Sequence, residues 1–131
     1  MLEPEIASYL VAQGFGTLDV DVFAVPFPQA APDAAVCVTA LGGRSQGTFG
    51  ASLSPAAFDE AEFQVIIRGG RDAIATARTK AQNIRAKLNR LGPLTIASTV
   101  YMDVRAGLVT WLRYDPEGRP MYSIRCETEA A

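Results

Sequence analysis

The sequence lacks residue types on which common enzyme chemistries depend. It contains no histidine and only two cysteines in 131 residues. Without histidine no Ser–His or Cys–His pair can generate a nucleophile, and the commonest protein ligand for transition metals is missing. Cys37 and Cys126 each lie in a segment typical of a strand, which predicts buried thiols instead of a disulfide framework. We therefore expect no catalytic residue, no metal and no cofactor.

Long apolar runs are also missing. No run approaches the roughly 20 residues that a membrane-spanning helix needs, and the acidic start MLEPE lacks the basic region of a signal peptide. The chain is nevertheless 49% hydrophobic, enough to build its own core at this length. We expect residues 1–131 to form one domain that is synthesised in the cytosol and has no membrane partner.

Basic residues are nearly absent from the first half. Residues 1–62 contain eight acidic residues and one basic residue, Arg44, whereas residues 63–131 contain six acidic and eleven basic residues. The two parts carry net charges of −7 and +5, although the whole chain carries −2. Such a split favours contacts between unlike surfaces of neighbouring copies, and head-to-tail contacts of this kind form rings when the rotation closes.

The clearest local pattern is a strand, turn and helix over residues 63–93. Residues 63–68, FQVIIR, are apolar and β-branched, which predicts a largely buried strand. Gly69-Gly70 ends the strand through its backbone freedom, and Asp72 is placed to cap a helix over residues 73–91. Gly92-Pro93 then stops the helix. Its apolar residues recur at steps of three and four: Ile74, Ala77, Ala81, Ile84, Leu88 and Leu91.

The outer face of this helix is strongly basic. One interpretation is a solvated face, where single charges contribute little; the other is a face that meets an acidic partner. We select a set of residues as predicted contacts with a neighbouring subunit or partner. They are Arg44, Phe49, Arg71, Arg78, Lys80, Arg85 and Arg113.

The remaining patterns predict a second helix and six further strands. The helix covers residues 4–13, and the strands cover residues 20–25, 34–41, 93–97, 99–106, 108–114 and 121–128. In the strand at 99–106, Val100, Met102 and Val104 are expected to share one face, and Trp111 is interpreted as a packing residue. The turn DPEGRP at 115–120 joins the last two strands. The predicted fold class is α+β, a mainly antiparallel sheet with two helices packed on it.

Residues 42–55, GGRSQGTFGASLSP, form a break in composition. They are rich in glycine and serine and nearly uncharged, so we predict a flexible loop at about residues 42–57. It is either a surface insertion or an arm that becomes ordered against a neighbour. It is not a P-loop, because Thr48-Phe49 stand where the motif requires Lys-Ser/Thr.

Four features together resemble the minor capsid or tail-terminator proteins of tailed bacteriophages. These are the first helix with its GFGTL turn, the segment DVF at 21–23, the strand–turn–helix unit, and DPEGRPMYSIRCE at 115–127. The chain departs from that family in the length of the Gly/Ser-rich loop and in Ala97-Ser98, where Asn-Gly is expected.

The resemblance implies a tail-terminator-like fold and a structural role in the virion. Such proteins form a ring, expected to be a hexamer, at the head-proximal end of the tail tube, where it ends tube growth and joins the tail to the head connector. The implied partners are further copies of the chain, the tail tube protein and the head–tail connector or stopper protein. The implied location is the virion tail or neck, after assembly in the host cytoplasm. DNA is only passing cargo, and we expect the basic helix to face away from the lumen, because arginines there would retain phosphate.

Three other functions remain as hypotheses. One is a head-completion or connector adaptor protein. Another is a small ligand-binding α+β enzyme domain, in which Asp103, Arg105, Arg113 and Asp115 would form a polar site; cross-strand charge pairs explain the same residues. A nucleic-acid binder is disfavoured, since the chain is acidic overall and no aromatic residues alternate with the cations of the basic helix.

Overall fold

The computed structural model describes residues 2–45, 59–89, 92–97 and 99–130. Within these ranges the chain forms two helices, α1 (Leu2–Ala12) and α2 (Ile74–Leu88), and seven strands. The strands are β1 (Val22–Phe23), β2 (Ala35–Ser45), β3 (Asp59–Arg68), β4 (Leu94–Ile96), β5 (Thr99–Ala106), β6 (Thr110–Tyr114) and β7 (Pro120–Ala130). The predicted α+β class is confirmed.

One mainly antiparallel sheet contains all the strands of the described ranges. Its order is β1-β2-β3-β7-β5-β4, with β6 also paired to β7. Only β1 and β2 run parallel; the other pairs are antiparallel. Along one edge of β7, residues 120–123 pair with β6 and residues 126–130 pair with β5. The long strand β7 therefore holds two short strands end to end.

The main core lies between the helices and one face of the sheet. The helices bury Ile6 and Leu10 of α1 and four residues of α2 against the sheet. Removal of such side chains from water is the main favourable contribution to folding. The four are Ala77, Ala81, Ile84 and Leu88. The predicted apolar stripe is thus confirmed over these residues, whereas Ile74 is 39% exposed and Leu91 lies outside the described residues.

A smaller cluster covers the opposite face of the sheet. Phe23, Ala35 and Cys37 are buried there, with Phe27 packed against them. Because side chains alternate along a strand, Cys37 faces this cluster while Val36 and Val38 face the helices.

Helix α1 connects distant parts of the curled sheet. It contacts β1 and β2 at one end of the strand order and β4 at the other. The Glu5 carboxylate accepts hydrogen bonds from Thr99 Oγ1 at 2.9 Å and from the Tyr101 hydroxyl at 2.5 Å. Burial acts to raise the pKa of Glu5, but these hydrogen bonds outweigh it and the pKa is lowered.

The predicted loop after β2 begins too early. Residues 42–45 continue β2 and pair with residues 59–62 of β3. Ladder hydrogen bonds use only the backbone, so the glycine-rich composition did not prevent pairing with the acidic strand. The remainder of the predicted loop, including Phe49, lies outside the described residues.

The predicted N-cap and the predicted C-terminal end of α2 are wrong. Asp72 has a φ of 57° and does not cap the helix; Ala73 occupies the N-cap position without a side-chain cap. The helix ends at Leu88, before Gly92, and Asn89 is extended. The amide of Ala106 in β5 donates to Asn89 Oδ1 at 3.3 Å. At Asn89 the chain therefore contacts β5 instead of continuing the helix.

Two predicted strands differ from the structure in detail. The strand predicted at 20–25 is reduced to Val22–Phe23, because residues 17–21 form a hydrogen-bonded turn. In β5 the register with β7 shifts between Tyr101 and Asp103, which leaves Met102 as an extra residue. Tyr101 and Val104 are consequently buried while Met102 is 40% exposed, so the predicted face of Val100, Met102 and Val104 is wrong.

Candidate functional site

The basic residues of α2 lie on different sides of the helix. Arg78 is exposed and lines a groove of about 470 Å³ with Ile74 and Tyr122. Lys80 lines another groove, of about 540 Å³, together with Phe15. The structure therefore divides the predicted basic face between two surfaces.

The Arg85 guanidinium forms a hydrogen bond within the chain. Its Nε donates to the carbonyl oxygen of Gly107 at 2.7 Å, which ties α2 to the connection between β5 and β6. This contact explains the arginine without a partner molecule. The sequence could not indicate it, because it depends on the register of two elements 22 residues apart.

The other predicted contact residues are scattered. Arg71 is exposed in the turn before α2, and Arg113 is exposed on β6. Arg113 is opposite Met121 in the ladder, so by alternation it lies on the face away from the helices. The backbone of Arg44 is opposite Glu60, and Phe49 lies outside the described residues.

A cluster of three aromatic rings lies beside α2. Trp111 is in edge-to-face contact with Tyr114 at 5.0 Å and with Tyr122 at 5.2 Å between ring centroids. The register of β6 shifts between Trp111 and Arg113, leaving Leu112 as an extra residue. Trp111 and Tyr114 can therefore meet although they are three positions apart in a strand.

Two of these three rings remain open to solvent, and the third, Tyr122, is buried. Trp111 is 41% exposed and Tyr114 is 52% exposed. Trp111, interpreted from the sequence as a packing residue, therefore packs against its two neighbouring rings at the surface and not inside the core. Tyr122 also lines the groove of Arg78 and Ile74. We call Ile74, Arg78, Trp111, Tyr114 and Tyr122 the aromatic patch. Aromatic residues and arginine are enriched in the cores of protein interfaces and dominate their binding energy.

The strand beneath the aromatic patch has an open edge. In the described part of the chain, β6 pairs with β7 alone. All five of its residues are exposed or half-buried. An edge strand of this kind presents backbone groups on which another chain can pair. Sequence reasoning did not predict this surface, because no residue type in the segment TWLRY (110–114) indicates the bulge that creates it.

A polar cluster joins two turns on another side of the molecule. Arg119 contacts Asp115 at 2.6 Å, Asp33 at 3.0 Å and Glu117 at 3.2 Å. Burial acts to raise the pKa of Asp115, but hydrogen bonds from Arg119 and from the Glu117 amide outweigh it and the pKa is lowered. Nearby, the Arg68 guanidinium donates to the carbonyl oxygens of Asp33 and Pro32 and lies 4.3 Å from the Phe27 ring centroid. These contacts fix the β1–β2 connection.

The residues that the enzyme hypothesis places in one polar site do not form a single cluster. Arg105 pairs with Asp103 at 2.9 Å and with Glu127 at 3.5 Å, whereas Asp115 belongs to the turn cluster of Arg119. The two carboxylates serve separate ion pairs. The structural explanation, charge pairs on and between strands, fits this arrangement.

The described residues provide little for metal or thiol chemistry. Within them, no group of three or more potential ligands could hold a metal ion. Burial raises the pKa of Cys37 to about 11 and that of Cys126 to about 12, which keeps both thiols protonated at neutral pH. No helix in these ranges is both long and apolar enough to cross a membrane.

Comparison with known proteins gives a fold relationship. No family model matches the sequence, and no curated protein matches it. The fold is similar to that of a chain in the "Virion of native gene transfer agent (GTA) particle", with a TM-score of 0.64 and 13% sequence identity. The similarity covers 95% of this chain and 84% of that chain. At this identity the comparison shows a shared fold of nearly the whole chain.

Proposed function

We propose that this protein is a structural component of a phage-like virion. The observation that carries the proposal is the fold similarity, which extends over 95% of the chain, to a chain of a gene transfer agent virion. The surface features agree with an assembly role, because the aromatic patch and the open edge of β6 suit contacts with other proteins. The two carboxylates of the enzyme hypothesis, Asp103 and Asp115, form separate ion pairs with Arg105 and Arg119.

Within the virion, the role we propose is that of tail terminator. A ring of copies, six by the family resemblance, ends tail-tube growth at the head-proximal end and joins the tail to the head connector. The proposed partners are neighbouring copies, the tail tube protein and the connector or stopper protein, with DNA passing through. The proposed location is the tail or neck, after assembly in the host cytoplasm. The net charges of −7 and +5 on the two parts of the sequence support head-to-tail contacts.

Deletion of the gene from a particle-producing strain tests this role. Electron microscopy of the deletion lysate should show filled heads separated from tails, and tails of irregular, excessive length because growth no longer stops. Restoring the gene in trans should return joined particles of uniform length. Joined particles with normal tails in the deletion strain would contradict the proposal.

The adaptor hypothesis gives a different phenotype in the same experiment. Loss of a head-completion protein leaves tails of normal length and heads that lose their DNA. Mass spectrometry of purified heads and purified tails then shows which part carries the chain. A chain absent from both parts and from intact particles would exclude every virion role.

A further inference from the structure

Exposed large apolar residues gather at two places in the described structure. Nine large apolar side chains in the described ranges are exposed to about two fifths or more, and six of them fall into two groups of three. One group, Ile74, Trp111 and Tyr114, belongs to the aromatic patch. The other group is Leu18, Val20 and Val25, at 40%, 57% and 54% exposure. Residues 17–25 span the hydrogen-bonded turn at 17–21, strand β1 and the two residues after it. We call this segment the acidic turn, because it also carries Asp19 and Asp21.

The two surfaces have opposite charge. Residues 1–43 contain five acidic residues and neither lysine nor arginine. Helix α2 contains four basic residues and no acidic residue, and one of them, Arg78, belongs to the aromatic patch. Apolar contact combined with opposite charge is the arrangement that selects a partner and fixes its orientation.

The two surfaces lie at opposite ends of one row across the sheet. Cα pairing runs from Val22 to Val36, Ile67, Tyr122 and Trp111. Four strand spacings of about 4.8 Å amount to about 19 Å along the sheet between the two ends. The surfaces therefore cannot meet within one copy, but they can meet between neighbouring copies.

Hydrogen bonds hold residues 17–22 of the acidic turn. The Asp21 carboxylate accepts a hydrogen bond from the Thr17 amide at 2.6 Å. The Asp19 amide donates to the Val22 carbonyl oxygen at 2.8 Å, and the Val20 and Val22 amides donate to the Thr17 carbonyl oxygen. A turn held in this way loses little conformational entropy when it binds.

We propose that the aromatic patch of one copy binds the acidic turn of the next copy. Since the two surfaces differ, the contact is head-to-tail and propagates around a ring. The inference rests on the proposed function only in that copies of the chain assemble with one another. It adds the residues of each side and the direction of the contact.

Sedimentation velocity of the purified full chain is the first test. From about 1 μM to about 1 mM, a range that covers weak to moderate association, the weight-average mass should rise with concentration. Trp111 is the single tryptophan and is 41% exposed, so its emission should shift to shorter wavelength as association buries it. A monomer throughout this range would overturn the proposal that a second copy is the occupant.

Substitutions then assign the basic, aromatic side. Trp111→Ala and Arg78→Glu should each weaken association by about tenfold or more, as expected for central interface residues. Lys87→Glu is the matched control, because Lys87 is exposed on the same helix and the nine-residue spacing from Arg78 places it on the opposite side. Equal losses in Arg78→Glu and Lys87→Glu would show a general charge effect and overturn the proposed surface.

A charge exchange assigns the other side. Val20→Lys should weaken association, since it places a cation opposite Arg78. Combining Val20→Lys with Arg78→Glu should recover part of the loss. Unchanged association in Val20→Lys, or no recovery in the double variant, would overturn the acidic turn as the partner surface. Circular dichroism confirms that each variant is folded.

The test of this contact between copies and the test of the proposed virion role have distinguishable outcomes. If the chain is found in purified particles but Trp111→Ala assembles normally, this contact is wrong and the virion role stands. If the purified chain associates through the two surfaces but is absent from particles, the contact stands and the virion role is wrong.

Discussion

At the scale of single residues, Arg119 contacts three carboxylates. Its side chain is 14% exposed and contacts Asp115, whose side chain is 9% exposed, as well as Asp33 and Glu117. It thereby joins the turn before β7 to the connection between β1 and β2. Breaking such a cluster leaves a poorly solvated carboxylate without its partner, which costs more than the loss of an exposed pair.

Arg119→Ala should lower the free energy of unfolding by about 1–3 kcal/mol, because it removes hydrogen bonds to a mostly buried carboxylate. Urea denaturation measures the change. Arg105→Ala is the control: Arg105 also contacts two carboxylates, but its side chain is 44% exposed, and the expected loss is below about 1 kcal/mol. Equal losses would refute the special role of Arg119.

The same cluster predicts a dependence of stability on pH. The folded-state pKa of Asp115 lies below its ordinary value of 3.8, so its contribution is present above that value and is lost as the pH falls through the lowered pKa. In Asp115→Asn the fall in stability on acidification should be shallower than in the unchanged chain. Urea midpoints measured at neutral pH and at several pH values near and below 4 provide the test; parallel curves would contradict it.

At the scale of elements, the strand–turn–helix unit depends on the close approach of helix α2 to the backbone of Gly69. The sequence suggested that Gly69-Gly70 provides backbone freedom, but neither glycine has a φ in the left-handed region. A Cβ at Gly69 would instead lie 2.7 Å from the Ala77 Cβ and 3.2 Å from the Ala73 carbonyl oxygen. Glycine is required there because helix α2 begins directly against the end of β3.

Gly69→Ala should therefore destabilise the protein by about 1–3 kcal/mol, the usual cost of overpacking a tight contact. Gly70→Ala is the matched control, since its nearest neighbour would lie 4.0 Å away, and we expect little change in stability. Thermal and urea unfolding of the two variants measure the difference. A Gly69→Ala protein as stable as Gly70→Ala would show that the helix can move away without cost.

At the scale of the whole molecule, α1 closes the curled sheet. It contacts β1 and β2 on one side and β4 on the other. Its Glu5 carboxylate holds the Tyr101 hydroxyl, and Tyr101 is only 1% exposed. Burial and the Glu5 hydrogen bond both raise the pKa of Tyr101, so the hydroxyl remains a donor across the neutral range.

Tyr101→Phe should cost about 1–2 kcal/mol, because it removes a hydrogen bond to a charged group while keeping the ring in the core. Tyr114→Phe, at a position 52% exposed, should change the free energy of unfolding by less than about 0.5 kcal/mol. Urea denaturation compares the two variants. If Tyr101→Phe matched Tyr114→Phe, the link between α1 and β5 would have no measurable role in stability.

The sequence by itself determined the elements whose pattern is local. The spacing of Ala77, Ala81, Ile84 and Leu88 defined the buried face of α2, and period-two alternation located β5 and β7. Turn chemistry located the hairpin at residues 115–120, where Asp115 accepts two backbone hydrogen bonds at 2.9 Å. Each of these signals depends on neighbours along the chain, so one sequence is enough to display it.

The tertiary structure alone decided where elements end and which surfaces they form. The extension of β2 through residues 42–45, the early end of α2 at Leu88 and the bulges at Met102 and Leu112 all depend on pairing with distant segments. The candidate site follows the same division. Of the predicted contacts, Arg78 joins the aromatic patch, whereas Arg85 is held by Gly107. Trp111 became a surface residue because a strand register, which no local pattern encodes, turned it beside Tyr114 at an open edge.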